Sequence, residues 1–445
     1  MRIAYVLLDP GIGVFGTKGA SVHVQEVVRT FRALGHEVSV FCTRTDDDVP
    51  ADLADLDVTR LELPRGLDRS QREIALLRLS DMLADLVTET VAASGQGFDL
   101  VYERYSLFST AGARISQRLD VPLIMEVNAP LLEEQRTHRD LVHAEHAARA
   151  TAASFAGAER IVCVSELVAD WVRTDYPGLD DVSVVPNGVN TERIIPRSGH
   201  DSLSGDGIKA PSGRAIREDR LGGGPPSTYG PVRIGFVGTL KPWHGTDRLI
   251  AACAGLVGDF RVDIVGHGPE SEALEHQVRM LGLGGRVRFH GALAPEAVPE
   301  ALREFDIAVA PYPAGENYFS PLKVYEYLAA GLPVVASSVG AIPGVLAGTG
   351  AAILTDPADS ADLTRALQRL IDDAELRATM GARARTEALT SHSWKRRCQQ
   401  ILAPVTGTVA GDTAAGETVA GETGAAPIDE GTSGSGRRPA SAVIS

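Results

Sequence analysis

The sequence predicts an α/β protein built from two doubly wound domains, and three observations lead there. Short apolar runs alternate with helical patterns through the first half of the chain. The alternation stops near Pro196 in a stretch rich in Gly, Ser, Pro and charge, and it restarts at Val232. A chain of 445 residues is also too long for one ordinary domain and suits two. Strand, helix and strand in repetition imply a parallel sheet covered by helices on both faces.

The elements follow in order. Residues 2–8 are the first strand, and a glycine-rich loop covers 11–19. From Ser21 the apolar residues Val24, Val27, Val28, Phe31 and Leu34 fall at helical spacing. Gly35 then suits the left-handed position after a helix. Further strands are expected at 37–42, 100–102, 123–127, 161–164 and 182–185. Residues 197–231, which include GGGPPS, read as a mobile interdomain insertion. The second half gives strands at 232–237, 261–265, 287–290, 307–310 and 333–336, and a helix at 359–373. Residues 406–445 are low in complexity and read as a disordered tail. The resulting domains are 1–196 and 232–391, with a closing helix at 392–405.

Composition excludes several functions. The formal net charge is -15, with no basic stripe of the kind a nucleic-acid binder shows. The N-terminal apolar run is too short to span a membrane and lacks a signal-peptide cleavage pattern. A cytoplasmic location is therefore expected, with peripheral membrane contact left open. The four cysteines, Cys42, Cys163, Cys253 and Cys398, form no C-x-x-C pair and read as reduced structural thiols. Asp46, Asp47 and Asp48 read as a solvated charge run in a loop. His138, His143 and His146 lack the H-E-x-x-H pattern, and no metal site is expected.

Three stretches carry candidate chemistry. In the first, Ser320 suits a helix N-cap and Pro321 the first helical position. Such a start offers unpaired N–H groups and the positive end of the helix dipole, an anion site suited to a diphosphate. Lys323 adds a cation. Glu326, about one and a half turns on, can accept hydrogen bonds from two vicinal hydroxyls. The second stretch, Gly238 to Gly245, follows the restart strand; its glycine permits close backbone approach, and Lys241 can meet a phosphate. The third is the loop from Gly11 to His23, with Gly13, Gly16, Lys18, Gly19 and Ser21. It lies between the first strand and helix, where such a sheet presents a ligand loop. It matches neither G-x-G-x-x-G nor the G-K-[ST] ending of a P-loop.

The stretch 318–335, with Gly331-Leu-Pro-Val-Val at its end, resembles the nucleotide-sugar signature of retaining glycosyltransferase family 4. That family has the GT-B fold, two Rossmann-like domains facing across a cleft. It commonly shows two glutamates eight positions apart. The second aligns with Glu326, which implies a ribose contact; the first falls on Tyr318, with Glu316 close but out of register. Related subgroups carry an S-P-L-K variant. The resemblance implies a donor site lined by Tyr318, Phe319, Ser320, Pro321 and Leu322. In the family an Arg after the first glycine and a Lys before the last often bind the diphosphate. Here Thr239 and His244 hold those places, and Lys241 stands in.

Smaller segments are similar to family segments in the same order. The loop 11–23 implies that Gly19 approaches the donor while Lys18 and His23 approach the acceptor. Segment 266–270 places Gly268 at the donor site beside Gly238. Glu103, Arg104, Glu126 and Asn128 end strands of the first domain and are implied to hold the acceptor. Asn187-Gly188 fits the family and is also a good turn. Residues 392–404, with Trp394, are similar to the helix that crosses back onto the first domain.

The resemblance covers roughly 1–196 and 232–403. It implies hexosyl transfer from a nucleoside diphosphate sugar, with UDP-sugar preferred, to a hydroxyl acceptor. Retention, no metal, no resident cofactor, and catalytic roles for Lys241, Lys323 and Glu326 go with it. A nucleotide-sugar epimerase or a non-catalytic nucleotide-sugar-binding subunit would use the same donor site.

Overall fold

The computed structural model of the chain describes residues 1–138, 140–197, 230–315 and 320–406. Tyr318 and Phe319 lie outside the described residues, as do 198–229 and 407–445, on which the insertion and tail readings rest. The first domain runs β1 (Arg2–Leu7), α1 (Gly19–Ala33), β2 (Glu37–Cys42), β3 (Asp57–Arg60), α2 (Arg69–Ser94), β4 (Leu100–Arg104) and α3 (Ala111–Leu119). It continues through β5 (Leu123–Val127), α4 (Leu131–His138), α5 (Ala144–Ala156), β6 (Arg160–Cys163), α6 (Glu166–Asp175) and β7 (Val182–Val184). The second domain begins with β8 (Val232–Val237), α7 (Thr246–Cys253), β9 (Phe260–Val265), α8 (Ser271–Met280), β10 (Val287–Gly291), α9 (Val298–Arg303) and β11 (Ile307–Ala310). It closes with α10 (Leu322–Ala329), β12 (Val334–Ser337), α11 (Ile342–Leu346), β13 (Ala352–Thr355), α12 (Ser360–Asp372) and α13 (Ala374–Ser391), and α14 (Trp394–Thr406) follows.

Both sheets are parallel. The first has the order β3-β2-β1-β4-β5-β6-β7 and the second β10-β9-β8-β11-β12-β13. Each order reverses once, between β1 and β4 and between β8 and β11. Such points open a crevice beyond the carboxyl ends of the strands. The central strands are buried on both faces, as parallel sheets under two helical layers require; Ile3, Ala4, Tyr5, Val6 and Leu7 are all fully covered. The edge strands β3 and β13 were not expected from sequence. Asp57-Val-Thr-Arg has no apolar run, and both strands are only partly buried.

After α13 the chain returns to the first domain. Trp394, Cys398, Ile401 and Leu402 of α14 share a core with Ile3, Tyr5 and Val24. Arg160 donates to the carbonyls of Gln400 and Ile401 at 3.0 and 3.3 Å. The two interdomain crossings meet: Val189 N–H donates to the His392 carbonyl and Trp394 N–H to that of Val189. All four cysteines are buried and free. Burial pushes the Cys42 thiol up to about 11 and that of Cys163 to about 12, which leaves them poor nucleophiles. Among the described residues, no helix is long and apolar enough to cross a membrane.

Candidate active site

Lys323 sits at the switch point of the second sheet. The ring of Phe236, on β8, lies 4.3 Å from its Nζ, and that of Tyr312, just past β11, lies 5.0 Å away. Gly238 closes the third side with φ +154°, and a Cβ there would stand 2.9 Å from Nζ; only glycine lets the backbone come so near. The lysine is 9% exposed, and Nζ has no hydrogen-bond partner among the described residues. Burial pulls the ammonium down to about 7, against the opposing pull of Glu326. A desolvated cation facing two rings lacks an acceptor, and a phosphate oxygen would supply one.

Glu326 is one turn on from Lys323, so the two share a helix face. It is half-buried; burial raises it to about 7, with Arg193 and Lys323 opposing and Glu26 adding to the rise. Glu26 belongs to α1, so the carboxylate stands where the two domains meet.

The start of α10 differs from expectation. Pro321, not Ser320, holds the cap position, and Leu322 opens the helix. Ser320 Oγ instead accepts the Asn187 N–H at 3.0 Å and donates to the Tyr325 hydroxyl at 3.3 Å. That bond ties the interdomain segment to the second domain. Leu322 and Val324 N–H already donate to the carbonyls of Ser320 and Pro321. The expected cradle of free N–H groups is therefore largely engaged, and the charge at this end comes from Lys323.

The Gly238–Gly245 loop carries Lys241, whose Nζ lies 4.6 Å from the Trp243 ring. His244 Nδ1 is bonded to the Thr239 carbonyl, which makes this nitrogen the donor. Burial and then the Lys323 charge push His244 down to about 4. In the free protein it is a neutral imidazole with a lone pair on Nε2. Gly268 packs under this loop, where a Cβ would lie 2.2 Å from the Leu240 carbonyl oxygen. Its part is to seat the loop.

In the first domain, the switch point between β1 and β4 holds a buried polar cluster. His23 Nε2 is 2.6 Å from Glu126 Oε1, and Arg104 Nη1 donates to Glu126 Oε2 at 3.4 Å. The Trp394 ring meets the His23 ring edge-on, with centroids 5.0 Å apart. Burial would raise Glu126, but His23, then Arg104 and Asn128, hold it at about 2. His23 is 3% exposed, so it lies inside the protein and not on the outer face of α1. Lys18 is exposed just before α1. A Cβ on Gly19 would lie 3.7 Å from Leu322 Cδ1, so the glycine-rich loop ends against the first residue of α10.

Glu103 is a correction. Neighbours on a strand point to opposite faces, so Glu103 and Arg104 cannot both reach the cleft. Glu103 turns toward α3, accepting bonds from Ser109 Oγ and, at 2.8 Å, from Gly112 N–H. Burial lifts it to about 7. Phe236, Tyr312 and Arg193 were missed; Phe236 lies on β8 and Tyr312 just past β11, the two strands that flank the reversal, a signal available from strand order alone. His143 Nε2 is 2.8 Å from Ser70 Oγ. Among the described residues, no group of three His, Cys, Asp or Glu could hold a metal.

Comparison with known proteins fits this geometry. Residues 17–193 match a family model described as Glycosyltransferase Family 4, and residues 231–373 match one described as Glycosyl transferases group 1. The chain is 28% identical over 423 residues to a D-inositol 3-phosphate glycosyltransferase of Thermomonospora curvata, covering 90% of this chain and 92% of that protein. It is 26% identical over 420 residues to the enzyme of that name in Salinispora arenicola, covering 89% and 88%. Among solved structures, HepE of Anabaena in complex with UDP superposes with a TM-score of 0.67 at 18% identity, over 92% of this chain and all of that one. A sucrose-phosphate synthase of Thermosynechococcus elongatus gives 0.64 at 19% identity, over 91% and 98%. With a family 4 domain in its first half and a group 1 domain in its second, on two facing parallel sheets, the chain is a GT-B glycosyltransferase of the family 4 type.

Proposed function

We propose that the protein transfers a hexosyl group from a nucleoside diphosphate sugar to a hydroxyl acceptor, with retention and without a metal ion. The observation that carries this reading is the buried, unpartnered ammonium of Lys323 beside Gly238. A diphosphate leaving group develops negative charge, and a fixed cation in a desolvated site stabilises it. Lys241 adds a second, and Glu326 takes the ribose hydroxyls. The bond from the anomeric carbon to the leaving phosphate oxygen breaks. The acceptor oxygen bonds to the same face of that carbon, and its proton passes to the departing phosphate. The complexes of HepE with UDP and UDP-glucose support a uridine nucleotide as donor. The relatives' name supports glycosyl transfer.

The test is incubation of the purified protein with UDP-glucose and a small-molecule cell extract in EDTA. Mass spectrometry should find a hexosylated product together with UDP, and NMR should find the donor's anomeric configuration in it. An inverted product would overturn retention, and loss of transfer in EDTA would overturn metal independence. Conversion of the donor with no acceptor present would instead identify an epimerase.

A further inference from the structure

The segment that first crosses between the domains, residues 187–196, is built onto the second one. Val189 and Ile194 share a core with Val324, Tyr325 and Leu328 of α10. Arg385 Nη1 donates to the carbonyls of Ile194 at 2.9 Å and Ala329 at 2.8 Å, and its Nη2 to that of Thr191 at 3.0 Å. Asn190 Oδ1 accepts the Glu192 and Arg193 N–H groups at 3.2 and 3.0 Å, which fixes the turn. Glu326 stands three residues before Ala329 and shares its helix face, so the turn carries Arg193 alongside it. The same guanidinium faces the first domain: Nη1 lies 3.9 Å from Oε1 of Glu26 on α1, too far for a hydrogen bond. Glu26 is 3% exposed and already engaged, Oε1 by Arg29 and Oε2 by Asn190 Nδ2, each at 3.0 Å. Arg29 is in turn forked onto Asp52. Arg193 Nε is buried and has no hydrogen-bond partner among the described residues.

We propose that Arg193 is a positioning residue for the ribose: its guanidinium holds the Glu326 carboxylate toward the donor, and Glu26 of the first domain competes for the same charge. The proposal rests on the reading of Glu326 as the ribose contact and adds the residues that govern it. A carboxylate accepts strongly from two hydroxyls only while it is ionised. Burial works against that in Glu326; Arg193 opposes burial first and Lys323 second, and Glu26 acts with it. Lys323 faces the diphosphate, which leaves Arg193 as the cation assigned to the carboxylate. An arginine that served only to tie the domains together would close its fork on Glu26. Arg193 stops short of it, and the oxygens it would take are held by Arg29 and Asn190.

Calorimetry on the full chain tests this with UDP and 2′-deoxy-UDP as probes. The diphosphate and Lys323 contribute alike to both, so the ratio of the two affinities isolates a ribose hydroxyl. That ratio should rise with pH, with its midpoint at about 7. Arg193→Met should move the midpoint up by about one unit, and Glu26→Gln should move it down. At pH 7 the first variant should lose about fivefold of the preference for UDP. Arg193→Lys, which keeps the charge, should restore most of it. Shifts of the same sign in Arg193→Met and Glu26→Gln, or a midpoint that neither moves, would show a residue that only supports the fold and overturn the proposal. If Arg193→Met does not fold, Glu26→Gln decides alone: a lowered midpoint upholds the competition, and a midpoint at the wild-type pH refutes it. Equal affinity of the wild-type protein for both nucleotides would defeat the ribose reading of Glu326, and the role of Arg193 with it. A protein that binds no UDP at all would instead defeat the donor reading itself.

Discussion

Lys323 and Glu326 titrate at nearly the same place, both at about 7, the first lowered by burial and the second raised by it. Donor binding then exchanges protons with a sign that depends on pH. A bound diphosphate restores the full charge of Lys323, and vicinal ribose hydroxyls hold Glu326 ionised. At pH 8 the free ammonium is only about one-tenth protonated and the free carboxylate about nine-tenths ionised. Binding should therefore take up about 0.9 proton at Lys323 and release about 0.1 at Glu326. At pH 6 the proportions invert, and the net exchange becomes a release of roughly 0.8. Calorimetry of UDP-glucose in buffers of different ionisation enthalpy reads these numbers directly, and the nucleotide-sugar diphosphate does not itself titrate in this window. The net exchange should cross zero near pH 7. Lys323→Met should leave only release, and Glu326→Gln only uptake. A buffer-independent heat at both pH values, or a crossing that neither variant moves, would refute the assignment of these groups to the donor.

Three further outcomes are expected. Lys241→Ala should weaken UDP more than uridine, by roughly the 1.5–3 kcal/mol of one charged hydrogen bond; equal losses for both ligands in calorimetry would remove its phosphate role. Glu126→Gln leaves His23 and Arg104 without their shared carboxylate in a buried site, which should cost about 3 kcal/mol or more in denaturant unfolding at pH 7; a change below about 1 kcal/mol would show that the cluster is not a structural clamp. Lys323→Met should raise the melting temperature. The lysine is at about 7 folded and near 10.4 unfolded, so its penalty, of order 4 kcal/mol, is complete below pH 7 and fades as pH rises toward 10.4. A gain from the variant that is as large at pH 10 as at pH 6.5 would contradict the buried charge as its source.

The fold was legible because it rests on patterns a sequence displays openly. Central strands such as 37–42, 123–127 and 232–237 are mostly apolar, since both faces of a parallel sheet are covered. The edge strand β3, Asp57-Val-Thr-Arg, lacked that signal because one side of it meets solvent. The site was legible in position and less so in detail. Lys323 and Glu326 were found from a helix start, but Ser320 is drawn off the helix by Asn187, a residue 133 positions earlier. Nothing local announces such a bond. Glu103 was misplaced because strand ends were read without alternation. Arg44, Arg60, Arg65 and Arg72 are spread over 29 positions and come to line one recess only when β2, β3 and α2 are assembled.

A lysine at 323 is the wrong residue for stability. Its ammonium lies against the rings of Phe236 and Tyr312, where a methionine of similar length would bring no charge to desolvate. Glycine at 238, which weakens the end of β8, is required by its φ of +154° and also leaves room for the ammonium, 2.9 Å from where a Cβ would be. Two unfavourable choices thus meet at one point of the crevice. A ligand carrying negative charge into the crevice turns both to advantage: the glycine opens the approach, and the ammonium recovers the charge that burial took from it. Because binding restores the charge that burial took away, the proton taken up at Lys323 grows as pH rises above about 7, and the lysine's contribution to donor affinity falls with it. Stability and donor affinity should move in opposite directions at this one position, and that opposition separates a binding lysine from a structural one.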